Sequence, residues 1–560
     1  MAPARNNPSN KGHGKRQNGK PNGFKPAQPQ NRNAPRPARP ARPEKPDPQP
    51  VVDSPFIPEV PKDTPRFSDL EGKNLLDPIV LKTLTEDMNF DHMMPVQAAT
   101  LEPLLEGKDC LAQAKTGTGK TLAFLLPAIQ TILKNRTPRF SALVLCPTRE
   151  LALQIAAEAQ KVLSRLPRCK VATSIGGTNK VTEQNRIRNG CDILVATPGR
   201  LLDHLSEEWV QEMLGTTQTL VLDEADRMVD MGFLPDMKKI LSYLPTAPRH
   251  TMLFSATIDD QLTNVARLFL GNGYQYISTI PEGEAGTHER VDQYLVSTPG
   301  FSDHAPSLVS VVKTELAVSR PFKAIVFAPT AALADFFGAV LASMDGLPQV
   351  SVLHSRMSQS KRTKLTADFR TAVDAIFVAT DVVARGMDFP AVTHVFQVGL
   401  PTDRETYIHR LGRTARAGAE GRGILVLSSV EKAFLRQLKG IKVKDYPTEV
   451  QFTVQDVQPA LAKMDPEMKS KAYQSWIGYH KTSMKLLGWS AEELVAEANI
   501  FAKYGLGCPE VPGLYKRVIG KMGLKGVKGL VALPNPPGSN DPGRQGGGGG
   551  RTSGRAPGRD

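Results

Sequence analysis

The chain has 560 residues, enough for two or three domains each with its own core, and its 22% charged and 40% hydrophobic residues are ordinary for a soluble protein. No apolar run approaches the ~18 residues that a bilayer-crossing helix needs, and five widely spaced cysteines (Cys110, Cys146, Cys169, Cys191, Cys508) give neither a disulfide framework nor metal-ligand spacing, which suits a reducing compartment. The formal charge of +14 is uneven: residues 1–43 hold ten Lys/Arg and no Asp/Glu, the stretch after Leu533 adds a net two, and 44–533 is close to balanced, so the basic character sits in tails that suit an anionic partner such as nucleic acid, or that merely solubilise.

From the N-terminus, residues 1–65 are rich in Pro, Asn, Gly, Lys and Arg and poor in large apolar side chains. They cannot bury enough surface to fold and are expected to be a disordered basic tail. Short apolar runs then alternate with amphipathic helical stretches. Candidate strands at 109–112, 142–146, 193–196, 219–222 and 250–254 are each followed by a turn and a helical pattern. That alternation predicts an α/β fold, with a parallel sheet covered by helices on both faces. The stretch 281–288 has Gly and Glu but no apolar pattern, and reads as a linker. A second series of strands follows at 294–296, 323–327, 351–353, 375–378, 394–398 and 423–427. From about Val450 the pattern turns helical, and from about Pro534 the chain becomes rich in Gly, Pro and Arg. The expected organisation is a tail (1–65), a first domain (66–282), a second domain (290–449), a helical C-terminal extension (450–533) and a disordered Gly/Arg-rich tail (534–560).

The segment Ala114, Lys115, Thr116, Gly117, Thr118, Gly119, Lys120, Thr121 follows a predicted strand and opens a helix, which is the P-loop arrangement with Ala in place of the first Gly. Its glycines let several backbone N–H groups turn toward phosphate, and the helix N-terminus adds a favourable dipole. Lys120 is expected to neutralise the β- and γ-phosphates of ATP and the Thr121 hydroxyl to ligate Mg²⁺. Asp223, Glu224, Ala225 and Asp226 follow the predicted strand 219–222. Carboxylates at the C-terminal end of such a strand face the same crevice as the P-loop. Asp223 is placed to hold Mg²⁺, and Glu224 to orient and deprotonate the attacking water. The plainer reading, acids favouring a helix dipole, loses ground because a P-loop lies in the same sheet.

At these residues the chain resembles the DEAD-box RNA helicases of superfamily 2, over roughly residues 67–430. The resemblance implies two tandem RecA-like domains with ATP and RNA bound across the cleft. Met94-Pro95-Val96-Gln97 resembles the Q motif, which implies that the Gln97 amide, with its donor and acceptor, reads the adenine edge. Asn89 stands where the motif usually opens with Gly, and Phe67 where the family has an aromatic near the adenine. Ser255-Ala256-Thr257 matches the motif that couples nucleotide state to RNA. In the second domain the segment 379–388 resembles motif V, which implies that Asp388 reaches the ribose, and 407–416 resembles motif VI. Arg413 and Arg416, three apart and so on one side of a helical turn, are then the arginine fingers. Ala415 replaces a common Gly, with little effect expected.

The resemblance also implies RNA contacts by Thr148 and Arg149, Gly177, Thr197, Pro198 and Arg200 in the first domain, and by Gln359, Arg362 and Thr380 in the second. Each is alternatively a capped helix start; the ordered set favours the RNA reading. Backbone contacts of this kind hold single-stranded RNA or a short duplex with little sequence preference. No membrane partner is expected, and the chain reads as a monomer. In the extension, Tyr473, Trp476, Tyr479 and Trp489 form either an RNA platform or a small helical core, the core being favoured for the two tryptophans. Lys516, Arg517, Lys521, Lys525 and Lys528 lie nearby in a stretch without acid. The segments 475–479 and 520–530 resemble the extension of fungal and plant mitochondrial DEAD-box RNA chaperones that promote intron splicing. That likeness and the acid-free basic N-terminus imply the mitochondrial matrix, with nucleus or nucleolus as the alternative. An ATP-gated RNA clamp is the competing functional reading.

Overall fold

Every predicted apolar run is a strand, and among the described residues the strands form two seven-stranded sheets and one two-stranded sheet, Leu514–Tyr515 with Ala532–Leu533, in the extension expected to be helical. The computed structural model describes residues 64–73, 75–115, 117–135, 140–246, 249–258, 260–280, 291–381, 387, 389–415 and 420–536. The linker stretch 281–288 and the two tails, apart from residues 64–65 and 534–536, lie outside the described residues.

The first sheet comprises β1 (Cys110–Gln113), β2 (Ala142–Leu145), β3 (Val171–Ser174), β4 (Ile193–Ala196), β5 (Thr219–Asp223), β6 (His250–Ser255) and β7 (Gln275–Ser278). They are ordered β3-β4-β2-β5-β6-β1-β7 and every pairing is parallel. A parallel sheet needs crossover helices, which cover both faces, so its central strands are apolar throughout. Alternation then sorts their residues. Leu143, Leu145, Leu194, Leu220, Leu222 and Leu253 pack into one helix layer, while Val144, Val195, Val221, Met252 and Phe254 pack into the other. Phe124 of the helix Lys120–Lys134 meets Phe254 edge-on at 5.5 Å between ring centres.

The second sheet repeats the plan with β8 (Val291–Thr298), β9 (Lys323–Phe327), β10 (Val350–Leu353), β11 (Ala375–Ala379), β12 (His394–Val398), β13 (Gly421–Ser428) and β14 (Lys444–Asp445), ordered β10-β11-β9-β12-β13-β8-β14 and again parallel. The expected class, two tandem RecA-like sheets with a helical extension, is the observed one.

The extension is not a separate globule. Its helix Pro466–Thr482 shares one apolar core with the second sheet, in which Trp476, Ile477 and Leu494 join Val326, Phe336 and Val378. Phe301 meets Trp476 edge-on at 4.9 Å, and Trp476 stacks on His480 at 3.9 Å. The Tyr479 hydroxyl donates to the Leu400 carbonyl at 2.6 Å. Tyr473 and Trp476 are fully buried and Trp489 packs, partly buried, against the same cluster, so these three aromatics build a core.

Candidate functional site

The loop after β1 leads directly into the helix Lys120–Lys134. Gly117 and Gly119 have φ of +78° and +87°, the left-handed region that only glycine enters without strain. Gly119 caps the helix without a side chain, which leaves the first-turn N–H groups directed into the loop. The Thr118 hydroxyl donates to the Lys115 carbonyl at 2.8 Å, and the buried Lys120 Nζ donates to the Ala114 carbonyl at 3.1 Å, so the loop closes on its own lysine. Thr121 occupies the second helical position. Thr116 lies outside the described residues. Gln97 reaches the same loop. Its Oε1 accepts from Met94 N at 2.8 Å and its Nε2 donates to the Gly119 carbonyl at 3.0 Å. A Cβ on Gly119 would stand 2.5 Å from that Nε2, so a larger residue there would displace the Gln97 amide. The amide keeps one N–H and one lone pair for a further partner. Phe67, by contrast, is buried in the apolar core at 1% exposure. Asn89 has φ of +55°, so Asn serves there as the left-handed residue for which Gly is usual.

Asp223 ends β5 beside this loop, 3% exposed. Burial, opposed by Lys120 and reinforced by Glu224, pushes its carboxyl up to about 7. Its Oδ1 accepts from Glu224 N at 3.0 Å. Glu224 is buried and left-handed, with φ of +52°. Strain at a non-glycine residue of this kind persists where the surroundings impose it, and it concentrates at reacting centres. Two residues on, Asp226 Oδ2 accepts from the Thr257 hydroxyl at 2.8 Å, and Ser255 Oγ donates to the Thr257 carbonyl at 2.8 Å. The same Asp226 oxygen lies 3.9 Å from His409 Nε2 on the helix Arg404–Leu411 of the second sheet. A polar chain therefore runs from the acid strand across to the second half.

Arg413 follows that helix and is 2% exposed. Its Nη1 donates to the Met387 carbonyl at 2.5 Å and its Nε to the His409 carbonyl at 3.3 Å. The regular helix stops at Leu411, and Arg413 follows in a further turn, its N–H bonded to the Arg410 carbonyl at 3.1 Å. Ala415, which stands where Gly is common, has φ of +52°, the left-handed region that Gly enters without strain. Asp388 and Arg416 lie outside the described residues. Neighbouring Arg410 is fully buried. Burial opposes its charge, but Asp381, paired at 2.7 and 3.1 Å, outweighs burial and raises its pKa.

The loops of the expected RNA site stand at the strand ends. Thr148 Oγ1 accepts from Leu151 N at 3.3 Å and so caps the helix Arg149–Val162. The Arg149 guanidinium lies against Gly176 and Gly177, where a Cβ would come within 2.9 and 2.5 Å of its nitrogens. Thr197 and Pro198 open the helix Pro198–His204, and Arg200 pairs with Glu183 at 3.1 Å. Thr380 follows β11, with its N–H 3.4 Å from the Leu353 carbonyl. Gln359 and Arg362 are buried and turn toward the first half. Their nitrogens donate to the two carboxylate oxygens of Glu150 at 3.1 and 2.6 Å. Burial lowers the Arg362 pKa, with Glu150 opposing.

A family description, DEAD/DEAH box helicase, matches residues 94–265, and a second, Helicase conserved C-terminal domain, matches residues 307–418. The chain is 45% identical over 483 residues to the protein named ATP-dependent RNA helicase MSS116, mitochondrial, of Phaeosphaeria nodorum, covering 83% of this chain and 86% of that one. The chain belongs to the DEAD-box ATP-dependent RNA helicases. The helicase is also 42% identical over 464 residues to DEAD-box ATP-dependent RNA helicase 26 of Oryza sativa subsp. japonica, covering 82% and 85% of the two chains. Among solved structures it matches Mss116p bound to ssRNA and AMP-PNP, with a TM-score of 0.76, 31% identity, and coverage of 86% of this chain and 99% of that one.

Three groups that link the two halves stand within the matched motifs, but the sequence assigned them no role: Glu150, Asp226 and His409. Each is a buried ionisable side chain. That they touch across the two halves is a property of the fold, which spacing along the chain does not carry.

Proposed function

We propose that this helicase uses ATP hydrolysis to bend and locally separate short RNA duplexes, acting as an RNA chaperone. The observation that carries the proposal is the meeting of Gln359 and Arg362 with Glu150, beside the Arg149 and Gly177 loop. It brings expected RNA-holding residues of both halves to one seam, where a single strand gripped by both is bent in a way a duplex cannot follow.

In this reading Gln97 orients the adenine, and the P-loop N–H groups with Lys120 hold the phosphates. The oxygen donors of Thr121 and Asp223 fit Mg²⁺, which when bound supplies positive charge at the phosphates. Glu224 takes the proton from the attacking water. Arg413, held by Met387 and His409, stabilises the charge that builds on the γ-phosphate, a contribution typically of about 10³–10⁵ in rate for such an arginine. We assign the domains as 66–282 and 290–449, with the extension at 450–533. The mitochondrial names of relatives, together with the resemblance of 475–479 and 520–530 to splicing chaperones, favour the mitochondrial matrix and intron RNA.

The test is steady-state ATPase with and without single-stranded RNA, beside separation of a short duplex. Strong RNA stimulation with duplex separation at low processivity is the expected result. Tight ATP-dependent RNA retention without strand separation would identify a clamp instead.

A further inference from the structure

Glu183 lies in none of the motifs above, on the helix Lys180–Arg188, yet its carboxylate is buried at 4% exposure and takes four donors. Oε1 accepts from Ile175 N at 3.1 Å and from the Thr178 hydroxyl, two residues that bracket Gly176 and Gly177. Oε2 accepts from Arg200 Nη1 at 3.1 Å and from His204 Nε2 at 2.9 Å, both on the helix Pro198–His204. Arg200 closes the ring by donating its Nη2 to the Thr178 carbonyl at 3.1 Å.

We propose that Glu183 is a positioning residue for RNA binding: one carboxylate sets the spacing between the glycine turn after β3 and the helix start after β4. A buried ion pair is weak ground for stability, because an apolar group of similar volume often serves as well. What an apolar group cannot supply is the simultaneous orientation of a backbone N–H, a hydroxyl, an imidazole and a guanidinium. A second bridge, from Lys180 to Asp203 at 3.0 Å, spans the same two helices but is more exposed and contributes correspondingly less. On its far side the glycine turn is pressed by Arg149 and Gln359, since a Cβ on Gly177 would lie 2.5 Å from Arg149 Nη1 and 3.7 Å from Gln359 Cβ. Glu183 therefore backs the turn from one side while the seam between the halves loads it from the other.

The inference rests on the reading of Arg149, Gly177, Thr197 and Arg200 as RNA contacts, and the experiment separates the two. The full chain is titrated with a single-stranded oligouridylate, and ATPase is read as wild type, Glu183→Gln, Gly177→Ala and Arg149→Met. Glutamine keeps an acceptor for the turn but gives up the charge facing Arg200. The expected result is an RNA half-saturation raised about tenfold in Glu183→Gln, with the ATP KM at saturating RNA shifted less than about twofold. Combining Glu183→Gln with Arg200→Met should add little to the larger single effect, because both remove the same bond. Unchanged RNA half-saturation in Glu183→Gln, or a parallel rise in ATP KM with a fall in Tm, overturns the positioning role. If Gly177→Ala and Arg149→Met also leave RNA half-saturation unmoved, the RNA-site reading itself falls.

Discussion

Two left-handed side chains, Glu224 and Ala415, flank the chemistry, and they call for opposite treatments. At Glu224 the strained backbone turns the carboxylate inward beside Asp223, so any loss of that carboxylate should be felt in the chemical step. Glu224→Gln is expected to bind ATP and RNA while its single-turnover hydrolysis falls by about 10²–10⁴-fold, the usual worth of a general base. Near-normal hydrolysis would remove Glu224 from the role. At Ala415 the same backbone geometry holds a residue that is 4% exposed, within the apolar cluster of Leu411, Leu425 and Phe434. Ala415→Gly relieves the backbone strain but gives up that packing and adds chain entropy, so stability should move by less than about 1 kcal/mol, read as a denaturant midpoint little changed at unchanged m-value. The motif lettering told where both residues stand, but the sign of φ is not written in a sequence: Asn89 could be suspected of it because Asn tolerates that region, whereas Ala and Glu give no such warning.

The strands were legible in proportion to how deeply they lie. Central strands such as Thr219–Asp223 are buried along their whole length and read as unbroken apolar runs. In the two seven-stranded sheets the strands that escaped, Val171–Ser174, Gln275–Ser278 and Lys444–Asp445, all lie at sheet edges, where one neighbour is missing and more side chains meet water. The extension shows a different failure. Its aromatics were plain in the sequence, but their partner, the buried Glu431, was not. Glu431 sits between His304 at 3.1 Å and His480 at 3.5 Å, and accepts from the N–H groups of Leu400 and Ser428. Burial alone would raise its pKa; His304 and then His480 outweigh burial and hold the carboxyl well below its ordinary 4.5. A carboxylate depressed in the folded state contributes stability that is complete above its unfolded value and drains as pH falls below it. The docked extension should therefore loosen below about pH 4.5, and Glu431→Gln should flatten that part of the stability-versus-pH curve. Trp476→Ala, which empties the middle of the shared core, should cost about 3–5 kcal/mol, detectable as a large drop in Tm.

At the scale of the molecule the motifs matter through the pairs they make between the two halves, Glu150 with Arg362 and Gln359, and Asp226 with His409. The order of motifs along the chain announced two halves and a nucleotide between them. It did not announce Glu150, because an acid in the first turn of a helix is already accounted for by the dipole. The structure gives that acid a second duty as the shared acceptor of two residues from the far sheet. All three are below 8% exposure, so the pair is scarcely screened by solvent, and removing one member leaves the other buried and uncompensated. Arg362→Met alone should therefore lower RNA-stimulated turnover more than Glu150→Gln and Arg362→Met together, since the double variant leaves neither charge stranded. A double-mutant cycle on the RNA-stimulated kcat/KM should return a coupling of about 1–3 kcal/mol between positions 150 and 362. Strict additivity would mean that the contact forms without helping the halves to close. In that case the contact of Asp226 with His409 would be the next pair to test, among the described residues, for a link between the halves.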